Sequence, residues 1–210
     1  MENFFSIDKN TEVEITVKKS KFIANLIKVD NQEMANEKLK EIKKKYHDAR
    51  HNCFAYRVYE DDNLIERFSD DGEPSGTGGS PMLNILQKND IANVLVVVTR
   101  YFGGILLGTG GLIRAYSDAT LNAISDINFV EYVLGLELQV DLEYDQFESF
   151  KYYCKINKIN IVDVEYKENI VCKIELETIK KDKLLDDFNT KKINLTNIKE
   201  LYKKLITKSI

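Results

Sequence analysis

The sequence predicts an α+β chain of two domains. Three observations carry that expectation. Apolar residues alternate at period two in several short runs, some of them adjacent enough to pair as hairpins. Stretches of helical period separate those runs. Composition then changes abruptly near residues 128–132: all five arginines, both prolines, both histidines and nine of the ten glycines precede that point. The expected domains are therefore 1–128 and 129–210.

Taken in order, TEVEITVKKSKFIANLIKV alternates at Val13, Ile15 and Val17 and again at Phe22, Ala24 and Leu26, with Lys-Ser-Lys between. A hairpin or one long bent strand fits. NQEMANEKLKEIKKKYHDA places Met34, Ala35, Lys38, Leu39, Ile42 and Tyr46 at helical spacing, with Asn31 available as N-cap. Lys40, Lys43, Lys44 and Lys45 crowd its outer face and last turn, where positive charge suits the helix dipole. HNCFAYRVYE and NLIERFSD, separated by Asp61 and Asp62, form a second hairpin pattern. PMLNILQKND is a short helix, and IANVLVVVTRYF is an uninterrupted apolar run of the kind covered on both faces, hence central in its sheet. TGGLIRAYSDATLNAISDI is a helix with the stripe Leu112, Ala115, Tyr116, Ala119 and Ala123.

Beyond the boundary the pattern reads strand (VLGLELQVDL), helix (YDQFESFKYYCKIN), strand (INIVDVEY), strand (NIVCKIELE) and helix (KKDKLLDDFNTK). The type of the last segment, INLTNIKELYKKL, is open; as a strand it completes βαββαβ, the ferredoxin-like order. Nothing in this half converges on chemistry, so it reads as a docking or stabilising domain.

Hydrophobic residues make up 43% and charged residues 30%, as in globular proteins that fold. A net charge of -4 supplies no global basic field, so nucleic-acid binding would need a local patch. No DNA-specific readout motif occurs. Cys53, Cys154 and Cys172 are scattered and odd in number, which points to buried free thiols in a reducing compartment. The start MENFFSIDKNTEVEI lacks a basic n-region, and no run approaches the ~18 apolar residues of a membrane span. A cytoplasmic location without membrane contact is expected.

GTGG occurs twice, at 76–79 and 108–111 with Gly108 preceding Thr109. The first copy sits in SDDGEPSGTGGSP, with Asp70, Asp71, Gly72, Glu73, Gly76 and Gly79. It lacks the GxxxxGK[ST] spacing and the lysine of a phosphate loop. Its carboxylates could bind a divalent cation, yet acidic turn residues commonly cap backbone N–H groups instead. His47 and His51 are four apart but lack the intervening glutamate of a zinc helix. No metal and no cofactor is expected.

The second copy is the better anion site: Thr109 as N-cap, with Gly110 and Gly111 leaving the first helical N–H groups uncovered. Arg114 follows one turn in, and Arg100, Tyr101, Phe102, Gly103 and Gly104 end the valine strand. This edge suits a phosphate backbone and stacked bases, or a partner's acidic and apolar side chains. The alternative is that Arg100 pairs with Asp70 or Asp71 and locks the two loops together.

GGSPMLNILQKNDIANVLVVVTRYFGGILLG, followed by TGGLIRAY and preceded by ARHNCFAYR and SDDGEPSGTGG, closely resembles the signature of the YigZ/IMPACT family. The family pattern falls on His51, Asp70, Asp71, Gly72, Glu73, Pro74, Gly76, Gly79, Pro81, Arg100, Gly103, Gly104, Gly108, Gly110, Gly111, Arg114 and Tyr116. The resemblance implies an N-terminal domain of the ribosomal-protein-S5 domain 2 type, similar to domain IV of elongation factor G, and a ferredoxin-like C-terminal domain similar to its domain V. It favours a strand near 194–200. It assigns no catalytic role to these residues. Eukaryotic relatives act by protein binding, competing for an activator of a kinase that restrains translation initiation.

Three functions follow as expectations. The first is a non-enzymatic cytosolic factor contacting ribosome, RNA or a translation-related protein through the glycine-loop edge. The second is an enzyme on a phosphate-containing small molecule, with Asp70, Asp71 or Glu73 holding a cation and His51 as acid/base. The third is a protein-interaction module without RNA contact.

Overall fold

A computed structural model describes residues 3–60, 63–125 and 127–208. It divides into two compact units, Asn3–Val130 and Glu131–Ile210. In the first, the order is β1 (Phe4–Ile7), β2 (Thr11–Val17), β3 (Ser20–Lys28), α1 (Gln32–Lys45), β4 (His51–Glu60), β5 (Asn63–Ser69), α2 (Gly79–Lys88), β6 (Val94–Tyr101) and α3 (Gly108–Ser125). In the second it is β7 (Phe129–Leu142), α4 (Phe147–Ile156), β8 (Asn160–Tyr166), β9 (Ile170–Glu177), α5 (Lys181–Asn189) and β10 (Asn197–Thr207).

The main sheet of the N-terminal unit runs β2-β3-β6-β4-β5, every neighbouring pair antiparallel. The valine run is thus the central strand. Val94, Val96 and Val98 face α2 and α3 across one core. Leu95 and Val97 face α1 across another. Each such fully buried side chain contributes about 1.5–3 kcal/mol relative to exposure, which is why an unalternating sequence is stable here, as it is in the neighbouring β3, where Phe22–Leu26 is buried on both faces. The α3 stripe Leu112, Ala115, Tyr116, Ala119 and Ala123 is buried throughout. Asn31 caps α1, its Oδ1 accepting from Met34 N at 2.8 Å. The second hairpin is β4–β5; Asp61 and Asp62 lie outside the described residues.

The alternation pattern did not reveal β1, which is only four residues long. It is held by Phe5 N to Asp90 O (2.8 Å) and Ala92 N to Phe5 O (2.9 Å), while the Phe4 ring stacks on Tyr59.

In the C-terminal unit β10, β7, β9 and β8 lie side by side, all antiparallel. With two helices on one face this is the ferredoxin-like βαββαβ fold. Residues 197–207 form the fourth strand, resolving the open segment. Ile170, Cys172, Ile174 and Leu176 of β9 point to the helices and are buried, and the intervening residues are not. The opposite face is polar, where Lys204 bridges Glu137 and Glu175. Cys53, Cys154 and Cys172 are all buried free thiols. Among the described residues no helix is long and apolar enough to cross a membrane.

Candidate functional site

The end of β6 is built by strand parity. Arg100 shares a face with Val94, Val96 and Val98, and its register partners are Phe22 on β3 and His51 on β4. That face is roofed by α2 and α3, so Arg100 is only 7% exposed. A buried guanidinium needs a carboxylate and receives Glu73: Nη1 donates to Oε1 at 2.7 Å. Tyr116 Oη donates to the same oxygen at 2.9 Å. The guanidinium carbon sits 5.5 Å from the Phe22 ring centroid and 5.6 Å from that of Phe102, within cation–π range. Among the described residues Arg100 Nε has no hydrogen-bond partner.

This corrects two expectations. Arg100 is paired, but with Glu73 rather than Asp70 or Asp71. Its charge is also neutralised inside the fold, so it does not form an anion-accepting edge.

The two aspartates are occupied elsewhere. Asp70 ties the first glycine loop together: Oδ2 accepts from Gly76 N (2.8 Å), and Oδ1 accepts from Gly78 N and Gly79 N (both 2.9 Å). Its carbonyl accepts from Glu73 N and from Cys53 Sγ, each at 2.9 Å. Asp71 Oδ2 accepts from Asn52 N at 2.7 Å and Oδ1 from Lys43 Nζ at 2.8 Å. His51 Nδ1 contacts the Asp71 carbonyl at 2.9 Å, which requires the proton on Nδ1. His47 is exposed and does not share its setting. Among the described residues no three His, Cys, Asp or Glu side chains are grouped to hold a metal.

Of the helical lysines, Lys43 and Lys45 are consumed in ion pairs with Asp71 and Glu12, and Lys40 and Lys44 are exposed. Burial pushes the Cys53 thiol up to about 12, removing it as a nucleophile at neutral pH. Burial also raises the Tyr116 phenol. Tyr101, bonded through its hydroxyl to Asp48 at 2.7 Å, is raised to about 12 by that hydrogen bond.

Two glycines are dictated by close approach. A Cβ on Gly79 would lie 2.6 Å from Ser69 O, and one on Gly103 would lie 1.9 Å from Lys19 O. The first seats α2 on the end of β5, and the second presses the 102–107 segment onto the β2–β3 turn. Gly103 N also donates to Ser20 Oγ at 3.1 Å.

The second GTGG copy departs from its expected geometry. Helix α3 begins at Gly108, whose φ is +70°, so Thr109 lies inside the first turn and is not the N-cap. The residue ahead of the helix, Leu107, carries no side-chain acceptor. Thr109, Gly110 and Arg114 are exposed, and Gly111 is half-buried.

Sequence reasoning missed the apolar character of the segment between. Phe102, Ile105 and Leu106 are exposed, Leu106 at 83%, and Ile113 on α3 is exposed as well. The signal was present: FGGILLG puts large apolar residues between glycines, where no strand or helix period can bury them. The first loop, the ion pair and Tyr116 form a buried brace; the second presents an apolar tip beside Arg114.

Residues 18–124 match the model of the Impact N-terminal domain, just over half of the chain. The chain belongs to the IMPACT family. Residues 140–190 match a domain of unknown function, DUF1949. The IMPACT family member YvyE of Bacillus subtilis is 36% identical over 197 residues, spanning 94% of this chain and 88% of its own. YigZ of Escherichia coli is 33% identical over 188 residues, 88% of this chain and 92% of its own. A solved structure described as a hypothetical protein aligns with a TM-score of 0.62 at 32% identity, covering 93% of this chain and 97% of that one. Both halves of the IMPACT chain therefore have relatives of the same two-domain extent.

Proposed function

We propose that this IMPACT family chain is a non-enzymatic, cytoplasmic, translation-associated binding protein whose contact edge is the apolar tip Phe102–Leu107 with Arg114. The observation that carries this reading is the exposure of Leu106, Ile105 and Phe102 on a segment fixed from beneath by Gly103 against Lys19 and by the buried Arg100–Glu73 pair. Exposed large apolar side chains on a rigid base cost solubility and serve no core, which favours recognition of a partner. The family resemblance supports translation as the setting.

A protein surface is the favoured partner, because the exposed bulk of the tip is apolar, with Lys19 of the underlying turn and Arg114 of α3 as exposed cations. A ribosomal RNA contact is the second reading, resting on Arg114 beside the start of α3. The enzymatic alternative loses support from the same geometry: Asp70, Asp71 and Glu73 spend their oxygens on internal N–H, Lys43, Arg100 and Tyr116 partners.

Sedimentation of cell extract through sucrose at low and moderate salt tests the reading. Co-sedimentation with ribosomal particles or a large complex is expected, lost in Leu106→Asp. Persistence after nuclease assigns the partner as protein, and loss after nuclease assigns it as RNA. A protein confined to the slow-sedimenting fraction at every salt concentration overturns the proposal.

A further inference from the structure

The C-terminal unit carries a lysine-lined concavity unrelated to the edge above. A cavity of about 240 Å³ opens where α4 ends, lined by Tyr153, Ile156, Asn157, Lys158, Lys180 and Lys183. Three lysine residues line it and no acidic residue does. Lys180 is committed to structure: its Nζ donates to the Lys158 carbonyl at 3.2 Å and pairs with Glu177 at 2.8 Å. Lys183 Nζ donates to Asn157 Oδ1, and Lys158 Nζ makes no hydrogen bond or ion pair among the described residues. Both of these side chains belong to exposed residues.

The placement works against the fold. Lys180 is the residue at the N-cap of α5 and Lys183 lies in its first turn, so both stand at the positive end of the helix dipole, with Asp182 the acidic residue of that turn. Like charges converging on one concavity repel as well. An anion in the cavity relieves both effects.

We propose that this cavity binds a phosphate group of a nucleotide. At about 240 Å³ it is smaller than the ~300–1,000 Å³ of pockets that enclose a whole drug-sized ligand, so it takes the phosphate and leaves the remainder outside. What lies outside is suited to a base. A second concavity of about 460 Å³ shares Tyr153 and Ile156 with the first and continues past Tyr152, Gln146 and Asn194. Tyr152 is 67% exposed, and its ring offers a stacking face flanked by amide groups. The source of the phosphate is either a single RNA strand or a free mononucleotide, and both share this chemistry.

The test uses the full chain, with anisotropy of a labelled eight-nucleotide oligouridylate and calorimetry with uridine monophosphate, each at several salt concentrations. Binding of at least one probe is expected. The Lys158→Ala/Lys183→Ala double variant should bind at least tenfold more weakly, with the oligonucleotide's logarithmic salt slope reduced by about 0.7 per lysine removed. Lys158→Arg/Lys183→Arg should retain binding, and Tyr152→Ala should lose about tenfold. Binding of the oligonucleotide alone assigns an RNA strand; binding of both probes assigns a mononucleotide-sufficient site. Binding of neither probe overturns the proposal, as does a double-alanine variant, shown folded by circular dichroism, that binds as well as the parent chain.

Discussion

Arg100 and Glu73 meet at 2.7 Å with 7% and 3% of their side chains exposed, and they join the end of the central strand to the first glycine loop. Removing either partner leaves an uncompensated buried charge. Arg100→Ala and Glu73→Ala should each destabilise the N-terminal unit by about 3–5 kcal/mol, and Arg100→Met/Glu73→Leu should recover much of that loss. Tyr116→Phe should cost about 1.5–3 kcal/mol, as a hydrogen bond to a charged group. Denaturant unfolding of the four variants measures all of these terms. Additive losses in the double variant would contradict the pairing.

Gly103 and Gly110 are predicted to respond oppositely to the same substitution. Gly103→Ala drives a methyl into the Lys19 carbonyl and should cost about 3 kcal/mol or displace the apolar tip, abolishing partner binding. Gly110 has open space around its Cβ position and lies in the first turn of α3, so Gly110→Ala should gain about 0.4–1 kcal/mol. Thermal melts of the two variants check the contrast.

The acid limb of the C-terminal unit's stability should depend on Glu137. Hydrogen bonding from Lys204 holds its carboxyl below the usual carboxylate range. A depressed folded-state value contributes stability that is complete above the unfolded value near 4.5 and is lost as pH falls through the folded one. Glu137→Gln should therefore be less stable than the parent at pH 7, with the gap closing below about pH 4. Midpoints of urea unfolding at pH 7, 5 and 3 provide the measurement, and a gap independent of pH would refute the linkage.

The thiols should be silent in the native protein. Burial pushes Cys53 and Cys154 up to about 12 and Cys172 up to about 11. At pH 8 a thiol reagent should modify each cysteine only through unfolding of its own unit. Mass spectrometry of labelled peptides should show Cys154 and Cys172 reacting together and Cys53 separately. Rapid labelling of any one of them before unfolding would contradict the buried setting.

Much of the fold was legible because its elements are periodic. The double-faced burial of Val94–Val98, the α3 stripe and the Asn31 cap each follow from local pattern. Arg100 shows where the pattern was under-used: period two places it on the helix-covered face with Val98, and a buried arginine follows directly. The choice of Glu73 as partner was not legible, because three carboxylates lie within four residues and only tertiary geometry commits Asp70 to the loop amides and Asp71 to Asn52 and Lys43. The start of α3 was not legible because the turn into it is made by Gly108 at positive φ, which leaves the following threonine inside the first turn rather than at the cap. Lys158 is separated in sequence from Lys180 and Lys183 by the β8–β9 hairpin, so no motif could announce that the three line one cavity.

The pairing of β7 with β10 has a consequence for the protein's own synthesis. The two strands are adjacent in the sheet but separated by about 55 residues of chain, which at about 5–20 residues per second leaves β7 waiting roughly 3–11 s for that neighbour. Throughout that interval one hydrogen-bonding edge of an apolar fourteen-residue strand is open on the nascent chain. In the N-terminal unit β3 waits longer still for β6, its neighbour in the sheet, because about 65 residues of chain separate the two strands. Both halves of the molecule therefore present open strand edges while they are being made, and both will need shielding by nascent-chain chaperones.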